Sequence, residues 1–343
     1  MMRRPTVSLV RSSVVGLAAV ISIAACSRAP QSEAVVTATP APPSLPSYAL
    51  SAPAPVPVLF APDIVSTGDF ESHTAFMPDG KTLYFVKSDP EFTSWTIYQS
   101  QFVRQHWMPP LVAPFSGRYR DSDPFITADG RHFYFISDRP VNGAAKADLD
   151  IWRMDLTPNG WSDPQNLGEP VNSPQSEWHP TLTASGVLYF GSARTGGLGL
   201  TDLYRATQSN GAWQVENLGA PINSAADEYE PFIAPDESYL IFMAYRPDSL
   251  GASDLYFSWH SGGTWSAAVN LGAPINSSAP DLAPGISPDG RYFFFSSARG
   301  VGAETQPRAA HFGNGLGDIY QMDLSAVLKS VPPAAPPSEP AKK

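Results

Sequence analysis

The feature that most constrains this chain is a fivefold internal repeat. A tight turn recurs at Pro78-Asp79-Gly80, Ala128-Asp129-Gly130, Ala184-Ser185-Gly186, Pro235-Asp236-Glu237 and Pro288-Asp289-Gly290, a period near fifty residues. An aromatic and aliphatic run follows each turn: Leu83-Tyr84-Phe85, Phe133-Tyr134-Phe135, Leu188-Tyr189-Phe190, Leu240-Ile241-Phe242 and Phe293-Phe294-Phe295. A second apolar pair lies further on in each copy, at Ile97-Tyr98, Ile151-Trp152, Leu203-Tyr204, Leu255-Tyr256 and Ile319-Tyr320. In the first four copies a turn ending in Trp107, Trp161, Trp213 or Trp265 comes next. The last three of these lead into Asn166-Leu167-Gly168, Asn217-Leu218-Gly219 and Asn270-Leu271-Gly272.

Each period therefore holds four short strand-like runs separated by turn residues, a hairpin followed by a hairpin. A lone four-stranded sheet leaves apolar faces uncovered, whereas a ring of them buries each face against its neighbour. The fold class expected is all-β, a five-bladed β-propeller of four-stranded antiparallel blades. The fifth copy lacks the tryptophan turn and the Asn-Leu-Gly segment, while Val58–Val65 precedes the first copy and reads as a fourth strand. The N-terminal strand is thus expected to close the last blade. Residues 57–327 form the propeller on this reading.

The ends have a different character. Residues 1–25 read as a signal peptide: Arg3, Arg4 and Arg11 form a basic region and Val14–Ile23 a short apolar one. Residues 26–56 are rich in Pro, Ala and Ser and are expected to be a disordered tether, and residues 328–343 a disordered Pro-rich tail. Cys26 is the only cysteine, so no disulfide can form within the chain. The formal net charge is −10, and the apparent signal carries no acid, so the rest is more acidic still. That balance argues against gripping nucleic-acid phosphates or anionic headgroups.

Two resemblances follow from these motifs. Ile23-Ala24-Ala25-Cys26 is similar to a bacterial lipobox, which implies cleavage before Cys26, lipidation of its thiol and membrane attachment through the lipid. Ser27 after it implies sorting to an outer membrane, periplasmic side or cell surface. The set Pro-Asp-Gly, Leu-Tyr-Phe, Ser-x-x-Arg, Asp-Ile-Tyr, Trp, Asn-Leu-Gly and Pro-Ile-Asn-Ser resembles the TolB-type, WD-repeat-like propeller family over the whole repeat region. For function the likeness is weak, because this architecture hosts binding platforms, hydrolases and lyases alike.

Strand polarity puts one acid per copy on the face opposite the Pro-Asp-Gly turns: Glu71, Asp121, Glu177, Glu228 and Asp281. At the end of the second strand, on the same face, stand Arg139, Arg194, Arg246 and Arg299, with Asp89 at that place in the first copy. Ringed carboxylates are consistent with a cation site or an acid–base cluster. Identical chemistry in every copy better suits a structural ladder of acid–arginine pairs. Two residues beyond each acid, strand alternation predicts a further side chain on that face: His73, Asp123, His179, Glu230 and Ala283. Two imidazoles and two carboxylates there either line the channel around buried water or bind a divalent transition metal, the one cofactor the sequence leaves open. The histidines belong to copies 1 and 3 and are not expected to be neighbours around the ring.

The long loop Gly300–Gly317, with His311, and the shorter one at Val141–Asp148 are places for ligand contact. The glycines at 196, 197 and 199 read as turn residues, since no strand–loop–helix context for a phosphate cradle surrounds them. No nucleophilic serine or cysteine motif is present, and no catalytic residue is assigned. The leading expectation is a monomeric, non-catalytic platform that binds an envelope protein or cell-wall component. The alternatives are a five-bladed carbohydrate-active hydrolase using Asp123, Glu230 and one ring acid, and a metal- or small-ligand-binding module.

Overall fold

The computed structural model describes residues 52–91, 93–300 and 312–333. The segment expected to be a signal peptide, Cys26, nearly all of the expected tether, the stretch around His311 and most of the expected tail lie outside them. Among the described residues the structure is an all-β, five-bladed propeller with a single short helix.

The blades are antiparallel sheets that open with inner strands Phe70–Phe76, Asp121–Ile126, Glu177–Leu182, Glu228–Ile233 and Asp281–Ile286. Second strands run Thr82–Ser88, His132–Ser137, Leu188–Ser192, Tyr239–Ala244 and Tyr292–Ser297. Third strands run Trp95–Val103, Asp150–Thr157, Asp202–Ser209, Asp254–Ser261 and Asp318–Asp323. The outer edge is Ala212–Asn217 in the third blade and two short pieces in the first, second and fourth.

In the fifth blade the outer strand is Val58–Leu59, antiparallel to the third strand with Val58 opposite Gln321 and Leu59 opposite Tyr320. The N-terminal strand therefore closes the last blade. Phe60 clamps the junction: its ring meets Phe76, Trp107 and Phe294 edge-on at 5.2–6.1 Å. The aromatic second strands fill five apolar seams between neighbouring blades. Burial of these rings is the main stabilising term of the ring closure.

The Asn-Leu-Gly segments lock outer pieces to third strands. Asn166, Asn217 and Asn270 each donate at 2.7 Å to the aspartate that opens the third strand, Asp150, Asp202 or Asp254. Among the described residues the fifth blade has no such asparagine, and one oxygen of its buried Asp318 has no partner. The helix Leu324–Ser330 runs across the boundary expected at residue 327. Val327 and Val331 are buried against the fifth-blade seam, and the Pro332 carbonyl accepts from Trp259 Nε1 at 2.6 Å. At the other end the Ala54 carbonyl accepts the Asp323 N–H, so ordered packing reaches into the segment read as tether.

Candidate functional site

Each inner strand breaks its ladder at the same place. Register shifts fall between Ser72 and Ala75, Ser122 and Phe125, Trp178 and Thr181, Tyr229 and Phe232, and Leu282 and Gly285. In four copies the interruption contains a proline, Pro124, Pro180, Pro231 or Pro284, which has no N–H to give the ladder. The residue before it takes a left-handed conformation in all five blades: His73, Asp123, His179, Glu230 and Ala283 have φ between 41° and 55°. Such a conformation costs a non-glycine residue about 1–2 kcal/mol. The side chains reach the channel through this bulge, and not through the simple strand alternation expected from the sequence.

The five ring acids lie two residues earlier and are fully buried. Arg139, Arg194, Arg246 and Arg299 reach Asp121, Glu177, Glu228 and Asp281 with Nη2–oxygen distances of 2.6, 3.3, 2.8 and 2.9 Å. Each guanidinium also lies over aromatic rings of its own blade, as Arg194 does over Phe190 and Tyr204. In the first blade Lys87, and not the residue at 89, supplies the cation, 3.1 Å from Glu71. Asp89 instead takes the N–H of Thr93 in an exposed loop. A backbone N–H four residues upstream completes the set in four blades, from Thr67, Ser173, Ser224 and Ser277. Burial pushes Glu71 and Glu177 up to about 7 against these donors. These carboxylates are spoken for by the scaffold.

The second tier converges instead. His73 Nε2 stands between two carboxylates, 3.1 Å from Asp123 Oδ1 and 3.2 Å from Glu230 Oε1. Its Nδ1 is 2.8 Å from Ser72 Oγ. Asp123 also accepts from Ser122 Oγ at 2.7 Å and from the His179 N–H at 2.9 Å, and Glu230 accepts the Ala283 N–H at 2.6 Å. An acid of each even-numbered blade thus ties down the bulge of the next. The His179 ring lies against that of His73, centroids 5.1 Å apart, and its Nδ1 is buried without a partner. Blades one and three are not adjacent around the ring, yet the channel is narrow enough for their histidines to meet across it.

Electrostatics separates the two imidazoles. Burial works to lower the His73 pKa, but the Asp123 and Glu230 carboxylates outweigh it and hold it above the usual value. Burial, helped by His73, drives His179 down to about 4, so its ring is neutral near pH 7. Burial would raise Glu230, but His73 with its hydrogen bond keeps that carboxyl below its usual range.

The plug separates two cavities. Towards the Pro-Asp-Gly turns lies one of about 680 Å³, walled by Pro, Ala, Phe, Ile and Thr, with His179 and Asp236 its only imidazole and acid. At the opposite mouth Trp178, Asp227, Tyr229, Glu230, Met243 and Tyr245 surround about 410 Å³. The aromatic wall continues outward, with Trp95 edge-on to Trp178 at 6.3 Å and Tyr229 edge-on to Tyr245 at 6.1 Å. Asp227 Oδ1 accepts the N–H groups of Leu200 and Thr201 at 2.9 and 3.2 Å. Sequence reasoning missed Asp227 and the aromatic wall; the one signal for the wall is that Trp178 and Tyr229 each directly follow a ring acid. Gly199, beside this loop, has the Ala226 carbonyl where a Cβ would sit, 2.0 Å away.

A five-bladed propeller with an acid–histidine plug and an aromatic-walled mouth is the class these observations define. No protein-family model and no curated protein matches the chain. Among solved structures it is similar to a BT0996–RGII complex at 11% identity and TM-score 0.50, covering 85% of this protein and 95% of that one. It is also similar to an alpha-L-arabinofuranosidase from Lactobacillus brevis at 12% identity and TM-score 0.46, covering 76% and 92%. With a prolyl endopeptidase the identity is 13% and the TM-score 0.38, over 74% of this protein and 32% of that one. At these identities the likeness is one of fold.

Two expectations are corrected by these findings. The TolB-type resemblance fails: no family model matches the chain. The repeat motifs that carried it are the turns and pairings any such blade needs. The expectation of a non-catalytic envelope platform is corrected as well: Asp227 and Glu230 meet in one aromatic-walled cavity, which the sequence reading did not foresee.

Proposed function

We propose that the protein is a carbohydrate-active hydrolase working at the channel mouth between its third and fourth blades. The observation that carries this reading is the presence of two carboxylates, Asp227 and Glu230, in one cavity walled by Trp178, Tyr229 and Tyr245. Cleavage of a glycosidic bond needs a pair of carboxyl groups flanking it, and flat aromatic walls with a few fixed polar groups suit a sugar ring. The two acids also have unlike surroundings: Asp227 is held by backbone N–H groups, Glu230 by an imidazole and one N–H. Unlike surroundings are what an acid and a base require. Asp123 lies beneath as a positioning residue that anchors His73, and the ring acids, each paired with a cation, take no part.

The test is release of reducing sugar from a panel of aryl glycosides and cell-wall polysaccharides. Activity in the unaltered protein, reduced about 100-fold or more in Glu230→Gln, supports the reading. No release from any substrate, or equal release by Glu230→Gln, removes it.

The lipobox-like run ending in Cys26 supports a second part of the same proposal, that the domain works outside the cytoplasm on a lipid anchor. Replacing Cys26 with Ala should then move the protein from the membrane to the soluble fraction, and retention of the variant in the membrane would reject the anchor.

A further inference from the structure

The plug beneath the mouth holds a compact group of donor atoms. His73, Asp123 and His179 each present one donor atom, and these three atoms lie within 4.8 Å of one another. All three side chains are buried. We propose that His73, Asp123 and His179 form a binding site for a divalent transition-metal ion on the channel axis.

Three independent features carry the assignment. The donor set is two imidazole nitrogens and a carboxylate oxygen, which suits zinc, nickel, cobalt or copper and not calcium or magnesium, whose sites are built from six or more oxygens. His179 Nδ1 is buried with no hydrogen-bond partner. A buried nitrogen left unpaired costs about 1–3 kcal/mol, and an ion coordinated through that nitrogen would remove the cost. The other contacts aim the donors as the outer partners of metal ligands do. Ser72 Oγ occupies His73 Nδ1 and leaves Nε2 facing the channel. Ser122 Oγ and the His179 N–H fix the Asp123 carboxylate.

The backbone supports the same conclusion. The three donors come from three consecutive blades, each on the left-handed bulge residue, where the strain is repeated and held by the surrounding sheet. Ala283 takes the equivalent slot of the fifth blade and offers no ligand atom there. Glu230 Oε1, within 3.2 Å of His73 Nε2, stands where a fourth ligand or the substrate-facing carboxylate would. The inference rests on ligand geometry and stands whether or not a glycoside is cleaved.

The test uses the full chain, stripped with a chelator and titrated with zinc chloride by calorimetry and with cobalt chloride by visible absorption. The expected result is one ion per chain and a cobalt d–d band of the intensity given by four- or five-coordinate nitrogen–oxygen sites. His179→Gln should weaken zinc binding at least tenfold, as should Asp123→Asn, with unchanged circular dichroism. No heat with the unaltered protein, or the weak spectrum of hexaaquo cobalt, overturns the site. So does binding undiminished in His179→Gln, which would place the ion on His106, His132, His260 or His311 instead. If a variant fails to fold, the cobalt spectrum of the unaltered chain decides alone.

Discussion

The ring of His73 packs against the ring of His179 with centroids 5.1 Å apart, joining the first blade to the third across the channel. The two rings carry very different weight. His73 touches both Asp123 and Glu230, whereas His179 Nδ1 is buried with no hydrogen bond. In metal-free protein, His73→Ala should cost about 3–5 kcal/mol, because it leaves two buried carboxylates facing each other without a cation. His179→Ala removes an imidazole whose buried nitrogen pairs with nothing and should cost far less. Urea unfolding of the two variants checks the ranking, and equal losses would refute it.

The ring pairs predict a second asymmetry. Glu228 is fully buried, and Arg246 is its only cation among the described residues. Arg246→Ala should destabilise the domain by about 3–5 kcal/mol. Replacing both partners, as Arg246→Met with Glu228→Gln, should cost less than the single change. A double variant no more stable than Arg246→Ala would show that the pair is not the reason for the loss.

At the closure, Phe60 is 2% exposed among Phe76, Trp107 and Phe294. Phe60→Ala should cost about 3–5 kcal/mol. It should lower one cooperative thermal transition and not create a second, because the seam it leaves joins the first and last blades. Calorimetry showing an unchanged main transition would mean that the Val58–Leu59 strand is dispensable to the ring.

Asp318 gives a pH dependence. Its carboxyl is buried in a blade that lacks the asparagine its counterparts have, and burial raises its pKa from 3.8 to about 6. The folded chain therefore takes up this proton at a higher pH than the unfolded chain does. The group's contribution is most favourable below about pH 4 and is lost as pH rises through about 6. Asp318→Asn should raise the melting temperature at pH 7.5 and leave it nearly unchanged at pH 4. A variant less stable at pH 7.5 would show that the Gly313 N–H, 2.7 Å from Oδ2, outweighs the burial of the charge.

Much of this molecule is legible in its residues, for physical reasons that differ from element to element. The turns and aromatic runs repeat because every blade must bury the same two faces, so the number of blades and the closing role of residues near 58 follow from counting. The face carrying His73, Asp123, His179 and Glu230 is also readable, but for a reason that strand alternation does not supply. A left-handed bulge formed by His, Asp, Glu and Ala, with no glycine to mark it, leaves only the following prolines as a trace. Contact between His73 and His179 depends on channel width, which no one-dimensional pattern encodes. The same holds for the mouth, where Trp178 and Tyr229 become neighbours at 5.9 Å only once the third and fourth blades stand side by side.

The pairing of Val58 and Leu59 with Tyr320 and Gln321 sets an order of events for a chain emerging from the ribosome. The earliest strand of the domain has to wait, unmatched, until more than four blades have been made behind it. Contacts spanning so much sequence slow the final step, and the exposed edges of the half-built toroid are sticky until then. Cells making this protein would have to shield that opening strand, by holding the chain extended or by a chaperone, for as long as translation takes.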